Sequence, residues 1–430
     1  MRYQNRLTRR ELLRSAALST SLGWLVSRAG AATTAADEAL PLVRQITKGP
    51  RFHWFGYYDK LQFSADDRYI LGNEVTFEHR SPKPDDEIRV GMVDTGEHDG
   101  WRELGATKAW NWQQGCMLQW MPNSSDEVIW NDREDDHFIS RILNVKSGSQ
   151  RTVPHPIYTL HPSGTRGIAP DFARLNDCRP GYGYAGCPDA RKNVPAPNDR
   201  GIWNVDLQSG ESKLLFTMQQ AADIPYTGDP RFAFKKSTKH WFNHLLYNTD
   251  GTRFFFLHRW RLGTNGFGTR AFTANADGTN LYLLDPHGRT SHFVWRDSEH
   301  ITAYSWHPSH GSGFYVYRDR TDEVVPIGRG VMTENGHNTY LPRYGDKWIV
   351  NDTYPDGDRL QHPYLYHILS DKKFPLGHFH SSAEYSGEWR CDTHPRSSRD
   401  GNFVCIDSPH EGGRQMFLID VRPIVARGDA

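Results

Sequence analysis

His337, Cys391 and His394 are the residues of this chain best suited to grip a metal ion. His337 opens "GHNTYLPRYGDKWIVND", and Cys391 and His394 open "RCDTHPRSSRDGNFVCIDS", so each group stands just ahead of a strand-like run. Cys391 precedes His394 by three residues, a spacing that lets one turn aim both at a single ion. Thiolate plus imidazole favours zinc or another transition metal; the expected cofactor is a divalent transition metal, zinc or manganese. His244 stands at the same kind of strand start in "NHLLYNTDGTRFFFLHRW", and His258 lies further along that stretch. A neutral imidazole at either position can take a proton. With 21 histidines in the chain, each also has an ordinary reading as a hydrogen-bonding interior residue.

Other segments carry side chains that suit a sugar. "FHWFGYYDK" holds His53, Tyr57, Tyr58 and Asp59; "FEHRSPKPDDE" holds His79 and Arg80. "AWNWQQGCMLQW" and "VIWNDRED" add Trp110, Trp112, Gln113, Gln114, Asn131, Asp132 and Arg133. Indole stacks on the apolar face of a pyranose while amides and charged groups meet its hydroxyls. The same aromatics are also the ordinary filling between sheets. There is no glycine-rich phosphate loop, no Gly-x-Ser-x-Gly elbow and no His-Glu-x-x-His helix, which removes support for nucleotide, esterase and zincin chemistry.

These residues need elements that bring distant positions together. From "QFSADDRYILGNEV" to "RQMFLIDV" the chain repeats one pattern: a strand start, an Asp-Gly-type turn, then a run rich in Phe, Ile, Val and Trp. Tight turns between alternating apolar runs read as hairpins, and a unit of three or four such strands has two apolar faces it cannot bury alone. Radial packing of the units buries both faces, and a repeat of about 40–60 residues fits a β-propeller. We count seven units, so the expected fold is an all-β, seven-bladed propeller over 41–425, with "PLVRQIT" (41–47) supplying an outer strand to the last unit. A Pro-, Gly-, Arg- and Tyr-rich insertion at 171–200 breaks the rhythm, and a loop of that length is expected to serve function.

Residues 1–31, with Arg9-Arg10, an apolar stretch from Ala16 to Val26 and Ala29-Gly30-Ala31, read as a twin-arginine-type signal peptide; 32–40 are a polar lead. The stretch is too short for a permanent membrane anchor. The expected location is periplasmic or secreted, after transport by the twin-arginine export machinery. With 51 basic and 51 acidic side chains, no net field draws nucleic acid. Among five cysteines, Cys178 and Cys187 are near enough in sequence to bridge a loop in such a compartment.

The stretches "HWFNHLLYNTDGTRFFFLHRW…RAFTANADG", "GHNTYLP…WIVNDTYPD" and "THPRSSRDGNFVCIDSPHEGGRQMFLIDV" resemble units of the oligogalacturonate lyase family, mainly over 240–421. Members are seven-bladed propellers that cleave uronate-containing oligosaccharides by β-elimination; propeller-type ulvan lyases share the architecture. The resemblance implies that His258 is the catalytic base, in a Phe-x-His context, and that His337 and His394 bind metal. This chain departs where the family continues His-Pro-His: it has His394-Pro395-Arg396, and Cys391 stands where an amide ligand is expected. Elimination requires a neutralised carboxylate, a base for the C5 proton and an acid for the departing oxygen. His258 or His244 is the expected base. Arg259, Arg174, Arg179 and Arg231 are candidates for the carboxylate, and Tyr182 or Tyr184 for the acid. His53, Tyr58, Arg80, Gln114 and Arg133 are further expected substrate contacts. The leading expectation is thus a metal-assisted polysaccharide lyase acting on an acidic glycan. Its rivals are a non-catalytic periplasmic propeller binding glycan or protein, and a glycosidase using Asp59 and Asp132.

Overall fold

The computed structural model describes residues 40–264 and 266–428. The signal-peptide reading falls outside them. Residues 248–251, Asn-Thr-Asp-Gly, illustrate how sequence makes a blade. The Asn248 side chain accepts from Arg253 N at 3.0 Å, Asp250 accepts from Thr252 N at 2.9 Å, and Gly251 turns the chain at φ +76°. Only glycine takes that conformation without steric cost. The turn joins the strands His240–Tyr247 and Arg253–Leu262 into a hairpin.

Among the described residues this scheme yields seven four-stranded antiparallel sheets in chain order, covering 52–107, 119–153, 159–217, 240–285, 293–327, 339–375 and 396–420. They are the blades of a seven-bladed β-propeller. Blade 7 takes its outer strand from the other end of the chain: Val43–Gln45 pairs with Phe417–Ile419. That pairing covers an edge that would otherwise be open.

Neighbouring blades cover both faces of each sheet, and the second strand of blade 4 accordingly loses alternation and carries a continuous apolar run. Phe254, Phe255, Phe256 and Leu257 are all fully buried. Tryptophans fill the wedges between blades and tie them with their indole N–H groups. Trp120 Nε1 donates to Gln62 O at 3.1 Å, joining blade 2 to blade 1, and Trp295 Nε1 donates to Leu246 O at 3.1 Å, joining blade 5 to blade 4. Each such buried aromatic contributes roughly 2–3 kcal/mol.

Two departures from the regular blade shape the centre. The insertion begins as a helix, Phe172–Cys178, capped by Asp171, which accepts from Arg174 N at 3.0 Å. Arg174 is wholly buried and staples the rest of the insertion down. Its guanidinium donates to His240 O, Arg191 O, Val194 O and Pro195 O and pairs with Asp189 at 3.1 Å. Second, the loop after Phe52–Trp54 crosses the middle of the ring: the Tyr58 hydroxyl donates to Phe293 O of blade 5 at 2.9 Å. All five cysteines are free thiols, so Cys178 and Cys187 are not bridged.

Candidate active site in the central funnel

His244 owes its direction to a defect in its strand. The register between His240–Tyr247 and Arg253–Leu262 slips between Asn243 and Leu245, and His244 sits in the bulge at φ +50°. A bulge in an inner strand re-aims one side chain, here toward the ring axis. The ring stacks on Tyr57 at 5.0 Å, and its Nδ1 lies 2.6 Å from the Tyr57 hydroxyl and 3.1 Å from that of Tyr158. Gln114 donates to the Tyr158 hydroxyl at 2.7 Å. Gly56 makes this grouping possible: a Cβ there would lie 2.7 Å from the Gln114 carbonyl carbon, so only glycine lets the two loops cross and set Tyr57 beside Gln114. Burial, then Arg259, His292, Arg179 and Lys60, hold His244 well below the usual imidazole range. It is neutral at pH 7.

Arg259, Arg179 and Tyr182 stand around this imidazole. Arg259 is 4% exposed and Arg179 half-buried; each Nε lacks a partner, and neither guanidinium has an ion pair among the described residues. Both cover the ring of Phe267, at 4.8 and 4.5 Å. Unpaired guanidinium charge in a buried position is costly unless a ligand supplies the anion. Tyr182 meets His244 edge-on at 5.7 Å and accepts from Arg390 Nη2 at 2.8 Å. Burial raises the Tyr182 phenol, but the positive charges of Arg390 and Arg179 outweigh it and bring the group to about 8.

On the other side of Tyr57 and Tyr58 lies a second cluster. His337 Nε2, His394 Nε2 and Asp392 Oδ1 are all buried without a hydrogen-bond partner, while the other Asp392 oxygen pairs with Arg390 at 2.7 Å. His337, Asp392 and His394 each offer one ligand atom, and these lie within 4.8 Å of one another. Asp352 holds the two histidine-bearing turns together. It accepts from His337 N (2.7 Å), His337 Nδ1 (2.9 Å), Thr393 Oγ1 (2.7 Å) and His394 N (3.1 Å). With Nδ1–H donated to Asp352, His337 presents the Nε2 lone pair to the cluster, the usual support for a metal-ligating imidazole. Burial disfavours charge on His337, yet the Asp352 carboxylate outweighs it and raises the group. The ring of His292 packs on His337 at 4.1 Å, with its Nδ1 3.0 Å from Asn335 Oδ1. Three orphaned N and O ligand atoms, one imidazole fixed by a carboxylate, fit a divalent cation.

Several expected residues lie elsewhere. Cys391 does not join the cluster; Asp392, its neighbour, does. Successive residues of an extended chain point to opposite sides. Cys391 is buried, and burial pushes its thiol up to about 12, which makes it a poor ligand at neutral pH. Arg396 is a buried brace paired with Asp407 at 2.7 Å. His258 faces away from the funnel. Arg259 lies on the funnel side of the strand and His258 on the other, with His240 Nδ1 2.9 Å from its Nε2. Arg174 is the staple described above, with no group free for substrate. Arg231 is exposed and paired with Asp229. Arg80 pairs with Asp86 at 2.9 Å over the ring of Phe77, and Arg133 rests against the insertion at Gly186, 3.6 Å from Asp85. His53 bonds Gln415 and Glu74 and lines a cavity of about 290 Å³ at the ring closure. Tyr184 stacks on Phe172 at 4.4 Å inside the core. Asp59 pairs with Lys60 at 2.7 Å and Asp132 with Arg141 at 3.2 Å, so neither is a free carboxylate for a glycosidase.

Asp392, Arg390, Asp352, His292 and Tyr57 complete the funnel without having been assigned these roles from sequence. Asp392 and Arg390 flank Cys391, and only the backbone direction decides which of these side chains faces His337 and His394.

The fold and the funnel together define a seven-bladed propeller with a metal-grade His/Asp cluster beside a basic, tyrosine-lined wall. No protein-family profile and no curated sequence matches the chain. Among solved structures, the oligogalacturonate lyase of Vibrio parahaemolyticus superposes with a TM-score of 0.61 at 14% identity, over 88% of this chain and 93% of that one. An oligogalacturonate lyase in complex with manganese gives 0.64 at 15% identity, over 90% and 94%. A puromycin-hydrolysing peptidase of Mycobacterium tuberculosis gives 0.50 at 12%, over 85% of this chain and 52% of that one. The chain has the fold of oligogalacturonate lyase.

Proposed function

We propose that this protein is a polysaccharide lyase that cleaves a uronate-containing glycan by β-elimination with the help of a divalent metal. The observation that carries this reading is the convergence of two unpaired guanidiniums, Arg179 and Arg259, on the neutral imidazole of His244 and the phenol of Tyr182. The substrate carboxylate meets Arg179 and Arg259 and supplies the negative charge these guanidiniums otherwise lack. Neutralising that carboxylate acidifies the C5 proton. In the tautomer that donates Nδ1–H to the Tyr57 oxygen, His244 uses the Nε2 lone pair to remove that proton. The C–H electrons form the C4–C5 double bond, the C4–O4 bond breaks, and the Tyr182 hydroxyl protonates O4. Arg390 then stabilises the phenolate until solvent reprotonates it. His337, Asp392 and His394 would hold the metal, which when bound supplies a Lewis acid for the carboxylate. The likeness to a manganese-bound oligogalacturonate lyase supports a divalent ion, manganese or zinc.

The test is ultraviolet absorbance of an unsaturated uronyl product on pectic, ulvan-like and glucuronate substrates. Silence on all three, with a glycan still bound, would favour a non-catalytic binding propeller instead. Metal analysis belongs beside it: Asp392→Asn or His337→Ala loses the ion, Asp352→Asn weakens it about 10–100-fold, and Cys391→Ala leaves it bound. We further propose export by the twin-arginine route on the strength of Arg9-Arg10, tested by N-terminal sequencing of the periplasmic protein. Among the described residues no helix is long and apolar enough to cross a membrane.

A further inference from the structure

On the reverse face of the funnel wall, three buried side chains form a directional chain. Arg270 Nε donates to His258 Nδ1 at 3.2 Å, and His258 Nε2 lies 2.9 Å from His240 Nδ1. A guanidinium nitrogen only donates, so His258 Nδ1 must carry the lone pair and its proton must sit on Nε2. That proton is donated to His240 Nδ1, which in turn leaves the His240 proton on its own Nε2. The tautomer is dictated from Arg270 outward. Arg270 is itself anchored to Ala221 O, Ile224 O and Pro225 O. Burial, then Arg270 and Arg174, hold His240 down to about 3, and His258 is likewise neutral.

The outward end of this chain opens into a cavity. His240, 2% exposed, is one of the residues lining a space of about 490 Å³ with Phe234, Lys235, Lys236, Gln219 and Asp223. Among the described residues the ring makes its one side-chain hydrogen bond through Nδ1, and its Nε2–H meets no acceptor. Phe234 meets the His240 ring edge-on at 4.7 Å. Lys235 and Lys236 are exposed, and neither side chain has an ion pair among the described residues. A fixed buried N–H donor, two uncommitted ammonium groups and an aromatic wall are the complement of a carboxylate on a sugar ring.

We propose that this cavity is a second, non-catalytic binding site for a uronate residue, with His240 Nε2–H and the two lysines on the carboxylate and Phe234 on the ring. Arg270 and His258 are positioning residues that set the donor. That the ligand is an acidic sugar rests on the proposed function; that it is a carboxylate rests on the cavity alone.

The experiment is imidazole NMR of the whole protein titrated with galacturonate, acetate and galactose, with His240 assigned through His240→Gln. The expected result is a proton on His240 Nε2 in the free protein. Galacturonate should then perturb His240 and His258 in the low-millimolar range, acetate more weakly and galactose not at all. Lys235→Ala with Lys236→Ala, both at exposed positions, should weaken galacturonate roughly 5–10-fold, the loss of two charge-assisted contacts. Arg270→Met should let the two imidazoles exchange tautomers. A proton on Nδ1 of His240, or no response to galacturonate at tens of millimolar, overturns the site; acetate binding as tightly as galacturonate overturns the sugar. Galacturonate bound here without lyase product on any glycan would leave this site standing and remove the lyase reading, and product without a His240 response would do the reverse.

Discussion

Two histidines fourteen residues apart, His244 and His258, test the residue-level assignment. His244 lies in the funnel with Tyr57 and Tyr158, whereas His258 is enclosed by Phe242, Phe272 and Arg270. His244→Ala is expected to cut kcat by about 10²–10⁴-fold, measured as product absorbance, while His258→Gln retains kcat within about threefold. Equal losses would place the base at His258. The pH profile gives a second check. In the proposed mechanism Tyr182 is the acid and must be protonated; with its phenol at about 8, kcat is expected to stay level at lower pH and to fall as pH rises through 8. Arg390 and Arg179 cause that low value, so Arg390→Met should move the falling limb to higher pH, and Tyr182→Phe should remove it along with most of the rate.

At the scale of elements, the insertion at 171–200 and the bulge at His244 are the features that turn a propeller into a candidate enzyme. The insertion delivers Arg179 and Tyr182, and the buried Arg174 side chain keeps it in place by donating to the backbone carbonyls of Arg191, Val194 and Pro195 and pairing with Asp189. Removing one partner of such a buried charged network costs about 3–5 kcal/mol. Arg174→Met is therefore expected to lower the thermal midpoint and open the insertion to limited proteolysis, with turnover falling because Tyr182 and Arg179 lose their support. Proteolysis unchanged from the wild type would mean that the guanidinium carries no such role. Arg174 looked like a substrate ligand because arginine in a long loop suggests anion binding. Nothing in its neighbours in sequence distinguishes a charge that meets a ligand from one that meets carbonyls.

At the scale of the molecule, the ring closes through Val43–Gln45, three residues paired with the strand Gln415–Asp420. Deleting 41–47 exposes that edge and the blade 7 core around Phe417 and Ile419. A lower unfolding midpoint and concentration-dependent association are expected by calorimetry and light scattering. An unchanged midpoint would show that closure by this strand is dispensable. The sequence by itself determined the repeated hairpin unit, the number of units and the strand that closes them. Turn chemistry and apolar runs are local, and both recur with the same period around the ring. It also marked the candidate site positions His244, His337 and His394, which all stand at or near inner strands. Only the tertiary structure decided that Asp392 rather than Cys391 joins the cluster of His337 and His394, and that His244 rather than His258 meets Tyr57, Tyr158 and Tyr182. The physical reason is that facing depends on backbone direction at a bulge or a turn, and a single residue of slip reverses it.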